Sequence, residues 1–130
     1  MSEIPKELKY TTDHEWAREA DGVVTVGITA YAVEQLGDVT LVDLPEAGAS
    51  IGSHERFGDI ESVKTVSELF APVAGEVVEV NEKLLDQPEL VNEGPYGDGW
   101  MVRIKVGDPA ELAKLLDAAG YEAHLGTLDD

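Results

Sequence analysis

The stretch in which residue types and spacing could support chemistry runs from Gly58 to Gly75, Gly-Asp-Ile-Glu-Ser-Val-Lys-Thr-Val-Ser-Glu-Leu-Phe-Ala-Pro-Val-Ala-Gly, and holds one lysine at its middle. Lys64 lies between Val63 and Val66, with the small hydroxyl residues Ser62, Thr65 and Ser67 interspersed. Two β-prone halves on either side of a short polar interruption predict a hairpin, with Lys64 at its tip and its amine in solvent. By residue type alone such a lysine is a solubilising charge. Its surroundings must decide whether it is more.

Other constellations carry less. His14, His54 and His124 are far apart in sequence and no pair has a short ligand spacing, so no metal site is expected. The chain has no cysteine, which removes disulfides, thiolate nucleophiles and Cys-based zinc sites; any sulfur redox chemistry must be imported. Gly94-Pro-Tyr-Gly-Asp-Gly99 lacks the Lys-Ser/Thr ending of a phosphate loop, and turn chemistry accounts for its glycines. No Ser/His/Asp set or carboxylate pair is identifiable as catalytic from spacing, so no catalytic residue is assigned.

The elements that must position Lys64 can be read from pattern. Within 130 residues, 43% of them hydrophobic, one domain spanning 1–130 is expected. Strands are predicted at Val23 to Ile28, Val39 to Leu44, Ile60 to Val63, Glu76 to Val80 and Trp100 to Val106. In the last, alternation puts Trp100, Val102, Ile104 and Val106 on the core face and Met101, Arg103 and Lys105 on the other. A short helix is predicted from Thr29 through Leu36, ended by Gly37. A longer one is predicted with Asp108 as N-cap, Pro109 in its first position and Gly120 as its stop, presenting Leu112, Leu115, Leu116 and Ala119 as an apolar stripe. Lys83 to Gly99 reads as an ordered surface excursion. Val39 to Ile51 through Gly48 and Val66 to Val80 through Gly75 form a loose internal repeat.

Net charge bounds the partners. With 27 acidic and 9 basic residues the formal charge is −18, so like-charge repulsion makes nucleic acid and anionic membranes poor partners, neither is expected, and basic protein surfaces are better candidates. The N-terminal residues lack a signal core and no run approaches membrane-spanning length, so a cytoplasmic location is expected.

Against that background Glu61-Ser-Val-Lys-Thr-Val-Ser67 resembles the lipoylation tip of glycine cleavage H proteins. In that resemblance Glu61, Ser62, Val63, Thr65, Val66 and Ser67 form the recognition hairpin around Lys64. Gly48 lies sixteen residues before the lysine and Gly75 eleven after it, as in the wider lipoyl-domain family, where such glycines serve tight turns. Tyr10-Thr-Thr-Asp-His-Glu-Trp16, Val26-Gly-Ile-Thr29, Leu36-Gly-Asp-Val39, Leu44-Pro-Glu-Ala-Gly48, Ala71 to Asn81, Pro88 to Asn92 and Pro95 to Trp100 also resemble H-protein segments, in the family's order. Ala30 and Val33 depart from the polar residues of many relatives, and Thr65 from the frequent alanine.

The resemblance implies an α+β, mainly β fold: a lipoyl/biotinyl-type flattened β barrel-sandwich hybrid with short helices and a C-terminal helix. It implies a carrier, not an enzyme, with lipoate in amide linkage to Lys64, which removes one positive charge and takes −18 to −19. The implied partners are a pyridoxal-phosphate glycine decarboxylase, a tetrahydrofolate-dependent aminomethyltransferase, an FAD-containing dihydrolipoamide dehydrogenase and a lipoate-attaching enzyme, and the carrier is expected to be a monomer. It further implies a cleft that shelters the aminomethyl-loaded arm, with Glu15 and Glu68 as expected cleft residues. Two alternatives are a biotin carrier, disfavoured because biotin carriers usually set their lysine between methionines, and an H-like protein that relays lipoyl groups to other enzymes.

Overall fold

The computed structural model describes residues 4–128, arranged as two antiparallel sheets with short helices. The chain runs β1 (Lys9–Tyr10), β2 (Glu15–Ala20), β3 (Val23–Ile28), α1 (Ala30–Leu36), β4 (Val39–Asp43), β5 (Ser50–Ile51), β6 (Arg56–Ser62), β7 (Val66–Phe70) and β8 (Gly75–Val80). It continues through α2 (Lys83–Asp86), α3 (Leu90–Glu93), β9 (Val102–Val106), a 3-10 turn (Pro109–Lys114) and α4 (Ala118–Leu128). One sheet has the order β1-β2-β3-β9-β8-β5, the other β4-β6-β7. Among the described residues neither sheet closes on itself, so the form is a flattened barrel-sandwich, as expected. None of the described helices is long and apolar enough to cross a membrane.

The two sheets face each other across a core of Val24, Val26, Val42, Ile60, Leu69, Val77 and Ile104, all almost fully buried. Alternation along each strand delivers these side chains inward. Asp21 and Gly22 turn β2 into β3 with φ of 54° and 82°, the left-handed pair that a two-residue hairpin needs. The internal repeat has a structural meaning: β4 to β5 and β7 to β8 each leave the three-stranded sheet and enter the six-stranded one. The two crossings are tied together, with Gly48 N–H donating to Val77 O (2.6 Å) and Val77 N–H to Ala49 O (2.8 Å).

Three expectations need correction. The predicted helix from Pro109 to Gly120 is two elements: Asp108 caps a 3-10 turn by accepting from Ala110 N–H, and Leu115 is already extended. Leu116 then exchanges both backbone hydrogen bonds with Tyr10, and the Asp117 carboxylate accepts from Gly120 N–H to start α4, which runs through Gly120. Strand pairing thus overrides helical spacing at Leu116, and Ala119, expected in the stripe, is exposed. Secondly, Lys83 to Gly99 is more than a surface excursion, because its two four-residue helices anchor Leu84 and Val91 in the core at full burial. Thirdly, Met101 is fully buried. β9 begins only at Val102, and Met101 precedes the regular pleat that would have turned it outward.

Candidate functional site

β6 and β7 form the hairpin predicted around Lys64, with Ile60 opposite Ser67 and Glu61 opposite Val66. Ser62 shapes the tip: its N–H donates to Thr65 O (2.8 Å), and its hydroxyl accepts from both Lys64 N–H and Thr65 N–H (3.2 Å each). That replaces the backbone bond missing from the turn and holds the tip without consuming the lysine amine. Val63 is 68% exposed, and Lys64 is exposed beside it.

The tip is also held from outside the hairpin. Val63 N–H donates to Asp38 O (3.1 Å), in the two-residue connection between α1 and β4. Asn92 clamps that connection at both ends, its amide donating to Gly37 O and accepting from Val39 N–H (2.8 Å each). Gly37 has φ of 77°, and a Cβ there would come within 3.2 Å of the Lys64 stem. The lysine therefore emerges along a bare stretch of backbone at the end of α1, which Thr29 caps by accepting from Ala32 N–H.

Beside the tip opens a cleft of about 310 Å³ between the start of β2, α1 and β7. Its walls include His14, Glu15, Tyr31, Gln35, Ile60 and Ser67, with Thr65 at the hairpin end. Glu15 is only 2% exposed. Its two carboxyl oxygens accept from Thr11 Oγ1 (2.8 Å) and Phe70 N–H (3.2 Å). Burial pushes its pKa from 4.5 up to about 8, because a charged carboxylate is costly away from water. The two hydrogen bonds oppose that rise, and Asp13 adds to it. His14 takes a left-handed φ of 70° and accepts or donates at Nδ1 with Tyr121 Oη (2.9 Å), which also bonds Thr29 Oγ1 (2.7 Å). Burial, then neighbouring His124, lowers the His14 pKa, with Asp13 opposing.

The sequence-predicted residues separate here. Lys64 and its hairpin neighbours stand together at the tip, and Glu15 lies in the cleft wall. Glu68 borders the same cleft, but its carboxylate lies 3.6 Å from Arg56 Nε and is largely exposed. It sits opposite Asp59 on the outer row of the sheet, which Arg56 also pairs. Gly48 occupies a turn with φ of 98°. Gly75 does not serve a turn: it opens β8 with no left-handed φ, and a Cβ there would stand 2.1 Å from Lys105 O. Close approach of β9 requires it. Asn92, Thr11 and Tyr121 were not predicted. Only the Thr-x-Asp spacing of Thr11, whose hydroxyl accepts from Asp13 N–H as turn-forming threonines do, offers a signal.

This fold and site define a carrier domain: a rigid sandwich presenting one lysine on a braced hairpin beside a cleft. Residues 8–127 match the family model of the glycine cleavage H-protein. A glycine cleavage system H protein of Marinobacter nauticus is 56% identical over 126 residues, 96% of this chain and 97% of that one. Glycine cleavage system H protein 2 of Pseudomonas putida is 57% identical over 127 residues, 97% and 99% of the two chains. The crystal structure of a glycine cleavage system H protein from Mycobacterium marinum superposes with a TM-score of 0.88 at 43% identity, covering 95% of this chain and 99% of that one. The chain belongs to the glycine cleavage H-protein family, a family of lipoyl carriers.

Proposed function

We propose that Lys64 carries lipoate in amide linkage and that the arm, when loaded with an amine cargo, folds from the hairpin tip into the neighbouring cleft against Glu15. The observation that carries this reading is the juxtaposition of an exposed lysine on a hairpin braced by Ser62 and Asp38 with a cleft whose wall holds a buried carboxyl. The residues fit the group: the amine is free for acylation, and the bare backbone at Gly37 leaves room for its stem. Lipoate would supply the disulfide that this cysteine-free chain lacks, as acceptor of the aminomethyl group and of electrons.

In this reading the chain's own residues do three things. The hairpin presents Lys64 to the lipoate-attaching enzyme. The rigid sandwich then keeps the tethered arm at high effective concentration in whichever active site has docked, in turn those of glycine decarboxylase, aminomethyltransferase and dihydrolipoamide dehydrogenase. Between dockings the cleft keeps water from the cargo. Glu15, which burial keeps protonated near neutral pH, holds a proton at the cleft wall that it would give to a basic nitrogen lodged there. A cargo nitrogen kept protonated there would have no lone pair with which to displace a neighbouring sulfur. Glu68 serves at most at the rim, since Arg56 already engages it.

The test is reconstitution. Lipoylated wild-type chain with glycine, tetrahydrofolate, NAD and the three enzymes should turn over, and the Lys64→Arg variant should not. Turnover by that variant would remove the basis of the reading.

A further inference from the structure

Thr11 stands behind Glu15, 4% exposed, in a wall that the cleft does not reach. Its hydroxyl has one proton to give and two lone pairs to fill. Both acceptor positions are taken, by Asp13 N–H and Glu15 N–H at 3.2 Å each. The single proton is therefore committed to Glu15 Oε1 at 2.8 Å. Glu15 Oε2 meets Phe70 N–H, a group that can only donate. Neither neighbour can accept a hydrogen from Glu15. Among its described partners a proton on this carboxyl has no acceptor, and the open space that Glu15 borders is the cleft.

From this geometry we infer that Thr11 is a positioning residue that locks the Glu15 carboxyl so that its acidic proton is offered to the cleft occupant and to nothing else. The inference rests on the cleft reading above for what that occupant is, an amine, but the Thr11–Glu15 arrangement itself does not. Two consequences follow. First, the Thr11 hydroxyl favours the ionised form of Glu15, which it serves as a donor, so it makes the proton easier to release once an amine arrives. Second, with both its acceptor positions filled, Thr11 does not relay a proton from Glu15 to the other pocket that it lines, with His54, Glu111 and Lys114. Loss and gain of this proton are thereby coupled to occupancy of the cleft. The other titratable groups around Glu15 are Asp13 and His14 from its own loop, Tyr31 from α1, Glu68 from β7 and Tyr121 from α4. None of them donates to Glu15 or accepts from it among the hydrogen bonds described above.

The experiment uses the full chain without any added cofactor. The Glu15 carboxyl carbon is titrated by NMR in wild type, in Thr11→Val, which keeps the shape and loses the hydroxyl, and in Thr11→Ser, which keeps the hydroxyl. The midpoint should rise by roughly one pH unit in the valine variant and return to the wild-type position in the serine variant, as loss and recovery of one hydrogen bond to a charged group require. A valine variant that titrates where wild type does overturns the inference. If the valine variant does not fold, wild type alone decides: the Thr11 hydroxyl proton should be protected from exchange and correlate with the Glu15 carboxyl carbon, and a hydroxyl proton exchanging at the solvent rate overturns the inference equally. On lipoylated, aminomethyl-loaded protein the valine variant should lose its cargo several-fold faster at pH 7. A shifted midpoint with unchanged cargo lifetime upholds Thr11 as the positioner of Glu15 and counts instead against the cleft as a shelter.

Discussion

Replacing Glu15 by Gln tests whether the folded chain keeps a proton on a buried carboxyl near neutral pH. A carboxyl with a pKa of about 8 when folded and 4.5 when unfolded binds its proton more tightly in the folded state. Below pH 4.5 both states hold the proton and stability is at its full value. Between 4.5 and 8 the unfolded chain releases it while the folded chain does not, so stability falls by about 1.4 kcal/mol per pH unit. Above pH 8 the loss stops growing, at a ceiling on the order of 5 kcal/mol, of which about 3 kcal/mol is reached by pH 7. The amide cannot ionise, so Glu15→Gln abolishes this slope. It has its own cost, because an amide has one oxygen for the two donors, Thr11 and Phe70, and the unserved donor costs about 1 to 2 kcal/mol. The variant should therefore be less stable than wild type at pH 5 and more stable at pH 8.5, with the curves crossing at roughly pH 6. The net charge of −18 destabilises both proteins alike as pH rises, so the difference between them isolates Glu15. Urea unfolding at half-unit intervals from pH 5 to 9 measures it. Parallel curves, separated by a constant amount, would refute the retained proton and with it the proton transfer proposed for the cleft.

Other positions give equally definite expectations. Ser62→Ala removes the acceptor shared by Lys64 and Thr65 N–H at an exposed tip, so it should cost about 1 kcal/mol or less of stability yet slow enzymatic lipoate attachment several-fold; an unchanged kcat/KM in that assay would show that the tip's shape is not read. Gly75→Ala drives a methyl group into the Lys105 carbonyl, and backbone on both sides leaves no flexible end to yield. A loss of about 3 kcal/mol or more is expected in urea unfolding, and a variant as stable as wild type would contradict the close approach of β8 and β9. Tyr121→Phe keeps the stack on Tyr10, whose ring lies 4.7 Å away and nearly parallel, and deletes the hydroxyl that bridges His14 and Thr29. It should cost about 1 to 2 kcal/mol, measured the same way, and no loss would mean that the bridge adds nothing to the docking of α4.

The lysine hairpin was legible because its signal is local: β-branched residues on each side of a short polar turn need no tertiary context. The same holds for β3, for most of β4, β8 and β9, and for the extent and stop of α1. Elements decided by long-range contacts were not legible. Leu116 belongs by spacing to a helix, yet Tyr10, more than a hundred residues earlier, pairs with it as a strand. α2 and α3 are one turn each and hold the core by one fully buried side chain apiece, too few for a periodic pattern. In the site, Glu15 and Glu68 are alike as residue types; only the fold buries one against Thr11 and Phe70 and leaves the other facing Arg56. Asn92 reaches the tip through Gly37 and Val39, more than fifty residues away, and the Pro88 to Asn92 segment, though it resembles the family, does not reveal that contact.

The central claim is that Lys64, among the lysines of this chain, is the one that receives lipoate. The most direct measurement is peptide-resolved mass spectrometry of the folded protein after incubation with a lipoate ligase, lipoate and ATP, run beside Lys64→Arg. The account predicts a single lipoyl group, located on the peptide that contains Lys64, and no modification of the variant. An unmodified wild type beside a control carrier that reacts, or a lipoyl group found on another lysine, would contradict it.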